Sequence, residues 1–442
     1  PSRQWRRPPS PQASVTARSS AIHTEQLASG VRLATETMPD VRSVAIGFWV
    51  GTGSRDEPAH LAGASHFLEH LLFKGTPARS AAAIAEALDE VGGDCNAFTA
   101  KEYTAFYVRL LSEHLHLGLD ILADIMEDPS LDDHDVDAER SVILDEILMH
   151  ADEPADLVGE TAMAALYPGH PLGRDTLGTA ESVRATTASD VRRFFEEHYR
   201  PGNMVVSVAG DCRHEEVVAA LDGRFAARPG GMAPARDPVG LDVEPLVVVR
   251  RPTEQAHLVL AMRSVSRFDD TRWPLGVLNV VLGGGLSSRL FQKVREQRGL
   301  AYSIWSERHG FFDTGCATVS VGTAPEHVDE VLRIVTGEIE SLAEEGISPR
   351  ELDVAKGNLR SETLLSCEDS GARMSRLGTS VLLYDRAWTI DEVLEHIDAV
   401  DVDAVREVAR SLAVAPRTLA AVGPFDADMF DGAALGLAGR AA

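Results

Sequence analysis

The same order of elements occurs twice along this chain, and that repetition constrains the fold more than any other feature. The stretch AIGFWVGTGSRDE at 45–57 is similar to LVLAMRSVSRFDD at 258–270. The stretch RPGNMVVSVAGD at 200–211 is similar to APRTLAAVGPFD at 415–426. Both offsets are about 214 residues, the mark of a duplicated unit of domain size. Between the copies lies RPGGMAPARDPVGLD at 228–242, whose glycines and prolines read as a linker. The expected division is a tail at 1–22, a first unit at 23–228, a linker at 229–242, a second unit at 243–430 and a tail at 431–442.

Each copy mixes strand and helix patterns. In the first, SVAIGFWV at 43–50 reads as a strand after a hairpin candidate at Met38-Pro39-Asp40. Helices are expected at 62–73 and 80–91, the latter stopped by Gly92-Gly93. Residues 97–110 read as one strand. Helices follow at 112–127, 132–150, 155–166 and 187–199, and a strand at 204–209 closes the block. The second copy restarts with strands at 246–250 and 257–263 and helices at 272–282 and 287–298. Strands near 301–307 and 312–321, a helical region at 325–413 and a strand at 418–422 complete it.

Composition narrows the function. The chain of 442 residues carries 68 acidic against 42 basic side chains, a net charge of −26. Nucleic acid and anionic membrane both select basic surfaces, so neither is an expected partner. A cationic ligand is compatible with this field. The four cysteines form no Cys-x-x-Cys pair, which fits a reducing compartment. No apolar run is long enough to span a bilayer. The first 20 residues are basic and rich in Ser and Pro, and read as a disordered tail. Gly283-Gly284-Gly285 completes no phosphate-binding pattern and reads as a turn.

Chemistry concentrates in SHFLEHL, residues 65–71. His66 and His70 are four apart on a helix and share a face, the spacing that offers two imidazoles to one zinc ion. Glu69 flanks that face and can reach a water as a base. The order His-x-x-Glu-His is the inverted form of the zinc-peptidase motif. A catalytic zinc needs a third protein ligand and an open position. Glu139 and Glu146 lie nearly on one face of the helix around 137–147, with Val142 and Ile143 free to pack elsewhere. Spacing alone does not choose between these two acids.

HFLEHLLFKGT, followed by ERSVILDEI, resembles the pitrilysin family of zinc peptidases. It is especially similar to the branch holding the catalytic subunit of the mitochondrial processing peptidase and its bacterial relatives. The resemblance runs from about residue 25 to 425. It implies a zinc-dependent endopeptidase with His66, His70 and Glu146 as metal ligands, Glu69 as the base and Glu139 behind the ligands. GGDCNAFTAKEYTAFY at 92–107 resembles the family's peptide-pairing edge strand, which implies substrate contacts at Asn96, Ala97 and Phe98. YPGHPLGRDTLGT at 167–179 also matches and is read as a structural loop. In the second unit, GGGLSSRLFQKVREQRGLAYSIWS at 283–306 implies that Arg295 and Tyr302 reach across to steady oxyanion charge. Asp156 and Glu160 match acids that bind an arginine side chain next to the cut.

The combined expectation is an α+β fold of two homologous units. Each has a mainly antiparallel sheet with helices on one face, and the units form a clam-like pair. The cofactor is Zn²⁺ and the substrate an extended peptide or unfolded precursor, cut near Arg. General peptide scavenging and a non-catalytic scaffold role are the alternatives. The chain is expected as a homodimer or with a related inactive subunit, in the bacterial cytoplasm rather than the mitochondrial matrix.

Overall fold

A computed structural model describes residues 22–228 and 230–430; the expected tails, up to residue 21 and from 431, lie outside the described residues. The first unit holds strands β1 (Ile22–Gln26), β2 (Arg32–Thr37), β3 (Ser43–Val50), β4 (Asp94–Thr99), β5 (Thr104–Leu111) and β6 (Met204–Gly210). Its helices are α1 (Ala64–Leu72), α2 (Ala81–Glu90), α3 (Leu115–Glu127), α4 (Asp133–Asp152), α5 (Pro154–Leu166), α6 (Ala180–Ala185), α7 (Ala188–His198) and α8 (His214–Leu221). The second unit holds strands β7 (Leu246–Arg250), β8 (Ala256–Ser264), β9 (Ala301–Gly310), β10 (Gly315–Thr323) and β11 (Arg417–Gly423). Its helices are α9 (Arg272–Leu282), α10 (Val328–Glu345), α11 (Pro349–Ser366), α12 (Ser370–Tyr384), α13 (Ile390–Ala399) and α14 (Val402–Val414).

The two sheets carry one topology. The first runs β1-β2-β6-β3-β5-β4 and the second β7-β11-β8-β10-β9. With β1 set aside, they match strand for strand. In both, the closing strand pairs parallel with the opening one, and the other contacts are antiparallel. This is how the repeat in the sequence becomes structure.

Three local expectations change. The proposed hairpin at 38–40 does not form, because β6 returns from far along the chain and inserts between β2 and β3. The single strand expected at 97–110 is a hairpin, β4 and β5, turned at residues 100–103 with Ala100 N–H bonded to Tyr103 O at 2.8 Å. The helix expected at 287–298 is a six-residue π-helical stretch, Phe291–Glu296.

Helix periodicity explains the main core. On α3, Leu115, Leu119, Leu122 and Met126 recur at helical spacing and are all buried against the sheet. Caps set the boundaries. Ser348 and Glu351 form a reciprocal box at the start of α11, and Thr187 with Asp190 does so at α7.

Each sheet is covered on both faces, and the second cover comes from the other unit. Val158, Ala162 and Leu166 of α5 pack on Val259, Ala261, Ala420 and Val422 of the second sheet. Met374, Leu377 and Val381 of α12 pack on Ala45, Trp49, Val205 and Ala209 of the first. Burying such side chains stabilises by about 1.5–3 kcal/mol each. Gly378 permits the approach of α12: a Cβ there would lie 2.1 Å from Trp49 Nε1, which donates to Ser207 Oγ at 2.7 Å. The exchanged helices tie the units together.

A buried ionic cluster adds to the seam. Arg55 pairs with Glu102 at 2.6 Å and with Asp313 at 2.7 Å, and Arg267 also pairs with Glu102. Arg236, from the linker, pairs with Asp56 at 2.8 Å. The connecting segment is thus anchored at this point rather than a free tether. The cluster fixes residues 55 and 56, directly before the segment that caps α1.

Candidate metal centre

The N-terminus of α1 is held by Glu57, whose carboxylate accepts from the N–H groups of Gly63 and Ser65, both at 2.7 Å. Two otherwise unpaired helix donors are satisfied this way. Burial raises the Glu57 pKa to about 7, against the pull of those same bonds. Gly63 sits at φ +94°, and a Cβ would meet the Leu177 carbonyl at 2.5 Å. The loop at 167–179 therefore packs on the start of the helix, the structural role its sequence suggested.

Phe67, Leu68, Leu71 and Leu72 bury one side of α1 in the core. His66 and His70 leave on the side facing α4, ring centroids 4.7 Å apart. On α4, Val136, Glu139 and Ile143 form the buried stripe, and Glu146 continues it at the same spacing. The two acids therefore share the stripe with Ile143, while Val142 is exposed. That reverses the expectation that Val142 and Ile143 pack away from the carboxylates.

The geometry separates the acids. Glu146 Oε2 lies 3.6 Å from His66 Nε2 and 3.7 Å from His70 Nε2. The three ligand atoms fall within 4.8 Å of one another. Tetrahedral zinc with bonds near 2.1 Å needs ligand separations of about 3.4 Å, so this set fits the ion. Glu139 instead contacts His70 Nδ1 at 3.0 Å and Lys74 Nζ at 2.5 Å. Burial opposes ionisation of Glu139, but the bonds from Lys74 and His70 hold its carboxyl below the usual range. With Nδ1–H donated to Glu139, Nε2 of His70 is left as a lone-pair donor. Burial, with the neighbouring His70 and His150, lowers His66 to about 4, so its imidazole is neutral at ordinary pH.

Glu69 stands beside this set. Burial raises its pKa, opposed by a hydrogen bond from Thr99 Oγ1 to Oε2 at 2.6 Å. A carboxylate raised toward neutrality is suited to take a proton. Thr99 was not among the residues singled out from sequence, although it lies within the quoted stretch at 92–107, directly after Phe98. Lys74 was missed as well, because its partner Glu139 is remote in sequence.

His66, Glu69, Thr99 and Glu146 line a cavity of about 720 Å³ between the units. Phe98 and Thr99 of β4 form part of one wall, and Ser303, Trp305 and Glu307 of β9 part of the opposite one. Both strands are sheet edges. Asn96, Ala97 and Phe98 lie on β4, with Asn96 and Phe98 exposed. Asp156 and Glu160 of α5 line the cavity, but each already has a neighbour. Lys101 Nζ reaches Glu160 at 3.5 Å, and His150 Nδ1 reaches Asp156 at 3.7 Å. Burial raises the Glu160 pKa against the pull of Lys101.

Arg295 and Tyr302 come together, but elsewhere. The Arg295 guanidinium stacks 5.2 Å from the Tyr302 ring, and Tyr302 is 79% exposed. Neither residue lines the cavity at the histidines.

Two histidines and a carboxylate at zinc-ligand separation, with a second carboxylate alongside, have the arrangement of a zinc hydrolase site. Residues 32–180 match the family described as Insulinase (Peptidase family M16), and residues 185–359 match the Peptidase M16 inactive domain. A zinc protease of Streptomyces coelicolor is 43% identical over 411 residues, covering 91% of this chain and 90% of that protein. One of Mycobacterium tuberculosis is 44% identical over 403 residues, covering 90% of this chain and 92% of its own length. One of Bacillus subtilis is 38% identical over 398 residues, covering 90% and 97%. The chain belongs to the M16 peptidase family and is a zinc peptidase. Among solved structures, a peptidase M16 inactive domain from Pseudomonas fluorescens aligns with TM-score 0.85 at 22% identity, covering 92% of this chain and 99% of that one. A protease from Helicobacter pylori aligns at 0.85 and 20%, covering 92% and 100%. Both have this fold. Among the described residues, no helix is long and apolar enough to cross a membrane.

Proposed function

We propose that this enzyme is an endopeptidase that cuts extended peptides or unfolded precursor segments, with a preference near Arg. His66, His70 and Glu146 of the unit at 23–228 hold Zn²⁺, and Glu139 orients His70. Bound zinc supplies polarisation of the scissile carbonyl and acidification of a water. Glu69 takes the water proton at its carboxylate and passes it to the leaving amine. Thr99 keeps Glu69 in place. The observation that carries this reading is the cluster of three ligand atoms with the half-buried Glu69 beside it, in a cavity that His66, Glu69, Glu146 and the open edge of β4 line together.

A peptide lying along β4 would add to the sheet by backbone hydrogen bonds at Asn96, Ala97 and Phe98. Asp156, Glu160, Asp175 and Glu307 put four carboxylates into the cavity wall, which favours a cationic side chain. A substrate guanidinium would replace Lys101 at Glu160.

We assign Arg295 and Tyr302, in the unit at 243–430, to oxyanion stabilisation across an interface with a second copy or a related inactive subunit. The exposure of Tyr302, the position of both residues outside this chain's own cavity and the tie made by the exchanged helices support this over closure within one chain. The four cysteines are all free, which supports a reducing, cytoplasmic setting.

The test uses an Arg-containing peptide library read by mass spectrometry. A chelator should abolish cutting and zinc restore it, Glu69→Gln should bind metal without turnover, and cuts should cluster near Arg. Activity surviving metal removal sinks the reading. Mixing Glu69→Gln with Tyr302→Phe should restore activity if the pair acts between copies; no rescue would return it to its own chain.

A further inference from the structure

A second cavity in this acidic chain has the opposite charge. It lies in the second unit among α9, α11, α12 and α13 and encloses about 420 Å³. Arg272, Arg308 and Arg376 line it, with Glu362 the one acid in its wall. Among the described residues, none of the three arginines forms an ion pair. Arg272 and Arg376 each donate to a backbone carbonyl, of Arg267 and Trp388, but in a chain with 68 acidic against 42 basic side chains three guanidinium groups without a counter-ion around one space is an unusual arrangement.

The wall is also short of acceptors. Arg272 Nε, Arg376 Nε, Trp273 Nε1 and Trp388 Nε1 are buried and have no hydrogen-bond partner. All four are donors. Leaving buried donors unmade costs free energy, and an anion entering with its oxygens would supply the missing acceptors after small side-chain adjustments. The guanidinium of Arg272 is preorganised: it stands 4.7 Å from the Trp273 ring, 4.8 Å from Tyr384 and 5.4 Å from Trp388. Those rings offer an apolar surface to the stem that carries the anion.

Arg308 links this pocket to the metal centre. It also lines a middle cavity of about 580 Å³, which shares Glu160, Thr176, Val259 and Glu307 with the cavity at the histidines. The three cavities therefore adjoin in a row, with Arg308 in the wall between the last two.

We propose that this pocket binds a carboxylate of the peptide substrate, an acidic side chain or chain terminus remote from the cut. The assignment rests on the peptidase reading above and adds an acidic anchor to its cationic cut site. A free small anion shares the chemistry, but only a peptide would span the middle cavity.

The test measures binding to zinc-loaded, full-length Glu69→Gln protein by fluorescence anisotropy, so turnover does not enter. The labelled peptides share one Arg-containing core. They carry Asp-Asp or Asn-Asn at either end, on spacers of about four to ten residues at ~3.3 Å each. The expected result is about tenfold tighter binding for one Asp-Asp peptide. Arg308→Gln should erase that increment and leave the Asn-Asn peptides unchanged. Arg272→Lys, which keeps the charge but loses the fork, should erase most of it. Inorganic phosphate should compete for the increment. Equal binding of Asp-Asp and Asn-Asn peptides overturns the proposal. Phosphate binding seen by tryptophan fluorescence without a peptide increment also overturns it, in favour of a free-anion site. Failure of every peptide to bind overturns both this and the peptidase reading.

Discussion

Glu139→Gln tests the division of labour between the two acids of α4. Glu146 lies 3.6 and 3.7 Å from the two Nε2 atoms, whereas Glu139 lies 3.0 Å from His70 Nδ1 and 2.5 Å from Lys74. The amide keeps the shape and one acceptor oxygen but removes the negative charge. A charge-assisted bond to His70 becomes a neutral one, a loss of about 1–2 kcal/mol. Lys74 also loses its counter-ion beside a site that must accept a dication. The two effects have the same sign. The zinc Kd should rise about 10–100-fold, the range typical of partners behind metal ligands. Activity at saturating zinc should fall much less. Glu146→Gln removes a direct ligand and should weaken zinc further and reduce activity even at saturation. Competition against a chromophoric chelator gives the affinities, and assays in zinc buffers give the activities. An unchanged Kd in Glu139→Gln, or a greater loss there than in Glu146→Gln, would refute the reasoning.

Thr99→Val removes the hydroxyl hydrogen bond to the Glu69 carboxylate. It should lower kcat/KM by about 10–100-fold with zinc affinity intact, and Thr99→Ser should recover most of the loss. Gly378→Leu forces a side chain into Trp49 and should destabilise the protein by at least 1–3 kcal/mol, seen as a lower denaturant midpoint with both units affected. Glu351 should make the fold acid-sensitive. Burial opposes its ionisation, but hydrogen bonds from Arg289 and Ser348 bring its pKa from 4.5 to about 2. A depressed carboxylate contributes stability above its unfolded pKa and loses it as pH falls from about 4.5 toward 2. Discounted for partial exposure, the contribution is about 1–2 kcal/mol, and Glu351→Gln should flatten the melting-temperature profile over that interval.

The metal helix was legible because its signal is local. His66 and His70 share a face by helical spacing, and α1 ends within two residues of expectation. The duplication was legible because β3, β6, β8 and β11 keep their apolar character in both copies. The β2–β6 pairing was hidden by sequence distance, and the β4–β5 turn by a run that stays strand-like through it. Glu160 was read as an acid for a substrate arginine, and nothing in sequence announces that Lys101 folds back onto it.

By itself, the sequence determined two copies of one unit, a pair of imidazoles on one helix, a carboxylate beside them and two candidate carboxylates on another. These follow from periodicity, which acts over a few residues. Only the tertiary structure decided which carboxylate meets both imidazoles, that Thr99 holds Glu69, that Arg295 and Tyr302 stand outside the cavity, and that α5 and α12 each cover the other unit's sheet. Those outcomes depend on how helices dock across the sheets, and the docking minimises exposed apolar surface over the whole chain rather than within any one segment.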